Sequence, residues 1–233
     1  MQARSEGSWR ASWQLGVALL ACCLFAAAAP QAHALTSPAP EACPGPLGAA
    51  EVPSSPNPAA PGPAATQIVV CVHDLPILGS TYSHWAEVAV RSEGAKSKHP
   101  ATARQVTEEV LGFLISSDWT LEEAHRRHVE ISARTVRRSF ERIRAQQFPK
   151  HGEFGAFLKS SGQTTADLEF RVKLNLLSKK LLAEVVAAKR SKHAKAQALA
   201  NFIKGFKHRW QADTYCTSEY AVADCGHVVA PPL

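Results

Sequence analysis

The stretch from Thr102 to His128 reads TARQVTEEVLGFLISSDWTLEEAHRRH. Val106, Val110, Phe113 and Leu114 recur three and four residues apart, the spacing that sets side chains on one face of an α-helix. Thr102 stands just after Pro100, where its hydroxyl can accept a hydrogen bond from a free N–H of the first turn. The spacing predicts one long helix, running through Trp119 and Leu121 to about His128. The same rhythm recurs on both sides, so the chain reads as mainly α.

Working upstream, Tyr82, Trp85, Ala86 and Ala89 share a helical face from Ser80 onward. Before them, Ile68 to Val72 is a short β-prone run, and His73-Asp74 with Pro76 marks a turn. Downstream, Ser132 is placed to cap a helix whose apolar positions are Val136, Phe140 and Ile143. The outer face of that helix carries Arg134, Arg137, Arg138, Arg142 and Arg144. Phe148-Pro149 ends it, because proline lacks the N–H and disfavours helix in its predecessor. A short helix over Glu153–Lys159 bears Phe154, Phe157 and Leu158, with Gly162 as its stop. Thr164 and Asp167 have capping-box spacing ahead of Leu168, Val172, Leu176, Leu181 and Val185. A basic helix then aligns Leu199, Phe202, Ile203, Phe206 and Trp210. Tyr215-Cys216 and Tyr220–Cys225 are close enough to form a small hairpin closed by a Cys216–Cys225 disulfide.

Charge and proline divide the chain. Nine of the 15 prolines fall between Pro38 and Pro63. Residues 80–212 carry 24 Lys+Arg against 13 Asp+Glu, whereas the remainder carries 2 against 7. Lys189, Arg190, Lys192, Lys195, Lys204, Lys207 and Arg209 follow one another with no acidic residue between them. Such a face suits an acidic partner or an anionic membrane surface, or is simply solvated. No run of 18 apolar residues occurs, which excludes a multispan membrane protein.

The front end reads as an export signal. Arg4 and Arg10 precede an apolar run from Leu15 to Ala29, and Ala32-His33-Ala34 offers a cleavage site. Residues 1–34 are therefore expected to be a signal peptide cut after Ala34. An uncleaved anchor, or lipidation of Cys22 in Leu19-Leu20-Ala21-Cys22, is the alternative. Residues 35–66 read as a disordered Pro/Ala-rich tether, since they hold too little apolar surface to offset the entropy of ordering. In polyproline form, residues 36–66 would reach about 100 Å at about 3.1 Å per residue. The folded domain is expected over 67–233, with a main helical body at 80–188, the basic helix at 189–212 and a hairpin and tail at 213–233.

Catalytic signatures are missing: there is no G-x-S-x-G, no H-E-x-x-H and no phosphate-cradling glycine loop. His125 and His128 have metal-ligand spacing, but Arg126 and Arg127 beside them oppose a cation. No metal site and no cofactor are expected. Export removes most nucleic-acid partners from the basic stripe, whose Phe and Trp positions are expected to dock on the domain's own core. In an exported chain, Cys216 and Cys225 read as a disulfide rather than half a zinc site. Cys43 and Cys71 either bridge or stay free.

The block from Val69 to Val186 resembles the N-terminal chaperone region of the SurA/PrsA family of exported foldases. Val70-Cys71-Val72-His73-Asp74-Leu75-Pro76-Ile77 is similar to the family's opening strand and turn, with Leu75 where glycine is usual. Ser80 to Trp85, Leu114-Ile115-Ser116-Ser117-x-Trp119, Gln146 to Lys150, Glu153-Phe154-x-x-Phe157-Leu158-Lys159 and Asp167-Leu168-x-Phe170-Arg171-Val172 follow in family order. The tail, Phe206-Lys207-x-x-Trp210 through Cys225, resembles the closing segment of an actinobacterial-type branch.

That resemblance implies a SurA-N-like helical domain with a short N-terminal strand, cradling unfolded polypeptide clients. Trp119, Phe148, Phe154, Phe157 and Trp210 are the client-binding candidates, each with the competing reading of a core side chain. Many relatives insert a parvulin peptidyl-prolyl isomerase domain between the two blocks. Here about 20 residues separate Val185 from Phe206, and a domain needs at least about 50. A holdase without catalytic residues is the expectation. A divergent isomerase and a non-catalytic module tethered to the cell envelope are its rivals.

Overall fold

The computed structural model describes Cys43 and residues 62–94 and 101–229. The expected signal or anchor at 1–34, Cys22 within it, and most of the tether lie outside the described residues. Ile68–Val72 forms β1 and Leu75–Leu78 forms β2. The two pair antiparallel around His73-Asp74, with His73 in the left-handed region at φ 50°. Every residue of β1 is buried. That suits its β-branched side chains, which pack well on a pleated, two-sided surface. β2 is an edge strand, the place in a sheet where Pro76 can stand without breaking a ladder.

Six helices follow among the described residues: α1 (Gly79–Gly94), α2 (Ala103–Arg126), α3 (Ala133–Gln147), α4 (Glu153–Ser161), α5 (Thr165–Val186) and α6 (Lys192–Ala212). The expected caps hold. Thr102 and Gln105 complete a capping box at α2, and Thr164 and Asp167 another at α5. The Ser132 hydroxyl accepts from the Thr135 N–H at α3, and Gly162 closes α4 at φ 71°. α2 stops at Arg126, slightly short of the expected end, because Arg127 caps it and His128 turns left-handed at φ 56°.

The segment just before β1 is fastened to the body. The Ala65 carbonyl accepts from the Ser80 N–H at 3.1 Å. The backbone comes so close here that a Cβ on Gly79 would lie 2.2 Å from the Ala64 carbonyl oxygen, so position 79 requires glycine. Cys43 is placed beside Cys71 of β1 as its disulfide partner, one of the two alternatives that the sequence left open.

Two further strands complete a four-stranded sheet of order β2-β1-β3-β4, with β3 at Thr214–Thr217 and β4 at His227–Val229. β3 lies antiparallel to β1, setting Val70 opposite Cys216. The Cys216–Cys225 disulfide closes the C-terminal element as expected. Its strands, however, run parallel rather than as a hairpin, with Tyr215 opposite His227. One side of β3 is already taken by β1, and the short helical turn Ser218–Tyr220 carries the chain round to the other side. Gly226 makes that route possible, since a Cβ there would meet the Gln211 carbonyl oxygen at 1.8 Å. A loop this short should contribute about 2–3 kcal/mol when cross-linked. In unreduced, denatured protein, Cys216 and Cys225 are expected to resist alkylation. Free thiols at both would overturn the pairing.

The main core lies where α1, α2 and the end of α6 cover the sheet, and it includes Val69, Val70, Trp85, Leu111, Ile115, Trp119 and Trp210. Two smaller clusters extend away from it along α5. One joins Ala124 and Val129 to Leu177 and Leu181; the other joins Val136 and Phe140 to Leu168 and Val172.

Candidate functional site

The five client-binding candidates separate into two groups. Trp119 and Trp210 are core residues, 3% and 4% exposed, and no client could reach their rings. Each also uses its indole N–H internally. Trp119 Nε1 donates to Thr214 Oγ1 at 2.8 Å, and Trp210 Nε1 donates to Glu123 at 3.1 Å. These two are corrected from client contacts to the seam that holds α2, α6 and β3 together. Burial of large rings beside the central sheet is the reason.

Phe148, Phe154 and Phe157 are brought together at the far end, where α3 hands over to α4. The Phe148 ring centroid lies 5.5 Å from that of Phe154 and 5.1 Å from that of Phe157. All three are half-buried. Their floor is Phe140, 2% exposed, whose ring meets Phe154 edge-on at 5.9 Å. The local chain explains the ledge. Phe148 leaves the helix at φ −126°, Pro149 prevents continuation, and Gly152 at φ 84° starts α4 on a new axis. Within α4 only Ser161 is buried, so Phe154, Phe157 and Leu158 lie half-covered along one stripe. The Arg144 guanidinium sits 5.6 Å over the Phe154 ring. The arrangement offers aromatic faces, which take varied apolar side chains with little geometric demand.

On α6 the apolar stripe faces the body, with Phe206 edge-on to Trp119 at 6.1 Å. Its basic residues are not all solvated. Lys207 pairs with Asp224 at 3.3 Å, and Arg209 pairs with Glu123 at 3.1 Å. Lys189, Arg190, Lys192, Lys195 and Lys204 are exposed.

Glu123 is the functional-looking group that sequence reasoning missed. Its side chain is 0% exposed, yet it accepts from Arg126, Arg127, Arg209 and Trp210 at 2.5–3.1 Å. Burial alone would push this carboxyl up. The hydrogen bonds from Arg126, Arg127 and Trp210, with the Arg126 charge, outweigh burial and hold it at about 2. The i+3 and i+4 arginines were visible in the sequence; Arg209 and Trp210 were not. Nearby on α2, burial pushes the Asp118 carboxyl up to about 7, and the Glu122 charge adds to the effect.

Arg171 of α5 lies 4.9 Å from both the Trp85 and Phe113 rings, and burial lowers its guanidinium pKa against the pull of Asp167 and Glu109. His84 contacts Asp167 at 2.9 Å. These contacts fasten α5 to α1 and α2. Among the described residues, no group of three His, Cys, Asp or Glu is placed to hold a metal ion.

Neither a family model, nor a curated protein, nor a solved structure matches the chain. Among the described residues no helix is long and apolar enough to cross a membrane.

Proposed function

We propose that this chain is an exported holdase-type module of the SurA N-terminal kind, binding unfolded polypeptides through the Phe148–Phe154–Phe157 ledge. The observation that carries the reading is the half-covered apolar stripe of α4, resting on a fully buried Phe140. An ordinary surface helix buries its apolar face. Here Phe154 and Phe157 pack by one side on the core and, with Phe148, keep part of their surface exposed, a shallow contact suited to weak binding of extended apolar segments.

Two further observations support it. The pairing of β1 with β3 joins the two family-like blocks into one sheet. The interval in which many SurA/PrsA relatives carry an isomerase domain is filled by a turn and the first part of α6. Export is part of the proposal, supported by the arginine-flanked apolar run near the N-terminus and compatible with two disulfides.

The test is aggregation of a chemically unfolded secreted protein diluted into buffer with the purified chain. Suppression at near-stoichiometric ratios is expected, together with background rates of proline isomerisation in a short peptide. Aggregation unaffected by excess chain would sink the holdase reading. Isomerisation well above background would move the protein to the divergent-enzyme class.

A further inference from the structure

The arginines of this domain fall into two populations. Arg91, Arg104, Arg126, Arg127, Arg144 and Arg209 each pair with a carboxylate, and Arg171 packs against aromatic rings. Arg134, Arg137, Arg138, Arg142 and Arg190 are exposed, and none has an acidic partner among the described residues. Four of the five stand on α3. Three of them occupy its first two turns, which contain no acidic residue. Cations there oppose the helix macrodipole, and Arg134 and Arg138 repel each other at i,i+4. The helix would be more stable without them, which points to a use outside the fold.

Position indicates the use. Arg137 and Arg144 are seven residues apart, on one face and about 10 Å apart along the axis. Arg144 lies over Phe154, so Arg137, on the same face, continues the aromatic ledge along α3, with Arg134 about one turn further on and about 80° round the helix from Arg144. We infer that this surface is a composite site selecting unfolded segments in which an aromatic or apolar residue is followed or preceded by acidic residues. From Arg144 back to Arg134 is about 15 Å, which an extended chain covers in about three to five residues. The acidic group should therefore lie that far from the aromatic anchor. A bilayer is the other anionic partner, but the outer face of α3, where the unpaired arginines stand, presents no large apolar side chain to insert. This inference rests on the holdase reading and specifies its clients.

The experiment uses the full chain and fluorescent ten-residue peptides with one Phe pair, flanked at that distance by three Asp/Glu, three Ser/Gln or three Lys. The acidic peptide is expected to bind about tenfold more tightly than the neutral one. The advantage should fade at high salt. The triple variant R134Q/R137Q/R138Q should lose the preference and keep its affinity for the neutral peptide. Its melting temperature should equal or exceed the parent's, since repulsive charges are removed. Equal binding of acidic and neutral peptides overturns the composite site and leaves the holdase reading standing. Binding of no peptide overturns both. If the triple variant loses flotation with anionic vesicles while its peptide affinities are unchanged, the face serves a membrane and the inference fails.

Discussion

Glu123→Gln is expected to lower the stability of the domain by about 3 kcal/mol at neutral pH, the cost typical of breaking a buried ion pair from one side. The carboxylate is fully buried and holds groups from the ends of two helices: Arg126 and the capping Arg127 at the end of α2, and Arg209 and Trp210 on α6. With the charge removed, the Trp210 N–H keeps at best a neutral partner in a buried position. The three arginines are 30–45% exposed, so they can rehydrate. That relief keeps the cost near the low end of the range for buried pairs rather than above it.

The same group makes stability depend on acidity. The carboxyl is held at about 2 in the folded chain against an ordinary value of 4.5. Above about pH 4.5 it is ionised in both states, and the full contribution is present. As pH falls, the unfolded state takes up the proton first, so the contribution declines and is gone below about pH 2. The acid-labile contribution is of the order of a few kcal/mol. Urea melts of the parent at pH 7 and pH 3 should differ by a large part of this amount, and those of Glu123→Gln by much less. Equal acid sensitivity in parent and variant would refute the assignment.

What could be read from the sequence was what is local. Thr102, Ser132 and Thr164 cap helices through bonds to residues three positions away, so the signal and the structure occupy the same few residues. The apolar rhythm likewise located α2 and the docking stripe of α6. Contacts decided by distant parts of the chain were not legible. β3 pairs with β1 across the length of the domain, which turned an expected hairpin into a parallel crossover. Lys207 and Arg209 looked like members of a solvated run, until the fold set Asp224 and Glu123 beside them. The same limit divided the five aromatic candidates. Trp119 and Trp210 have helical spacing no different in kind from that of Phe154 and Phe157. Only the placement of the sheet buries the first pair, and only the end of α3 leaves the second pair half-open.

Phe140→Ala and the double change Phe154→Ala/Phe157→Ala should separate stability from client binding. Phe140 is 2% exposed and packs with Val136, Leu168 and Val172, so its truncation opens a cavity beneath the ledge. A loss of about 3–5 kcal/mol is expected, a large share of an ordinary domain's stability. Phe154 and Phe157 already present part of each ring to water, and their removal leaves a hollow that solvent can fill. Together they should cost about 2 kcal/mol or less, because only the covered part of each side chain loses its apolar surroundings. Function should rank the other way. At a temperature where both variants remain folded, Phe140→Ala keeps the ledge rings and should retain most suppression of aggregation. The double variant loses two of the three aromatic faces and should lose most of it. Thermal melts set the temperature, and aggregation assays with one unfolded secreted protein then read the result. A double variant that still suppresses aggregation as well as the parent would place the binding surface elsewhere. If the double variant proves as unstable as Phe140→Ala, the two phenylalanines belong to the core, and the ledge is simply its edge.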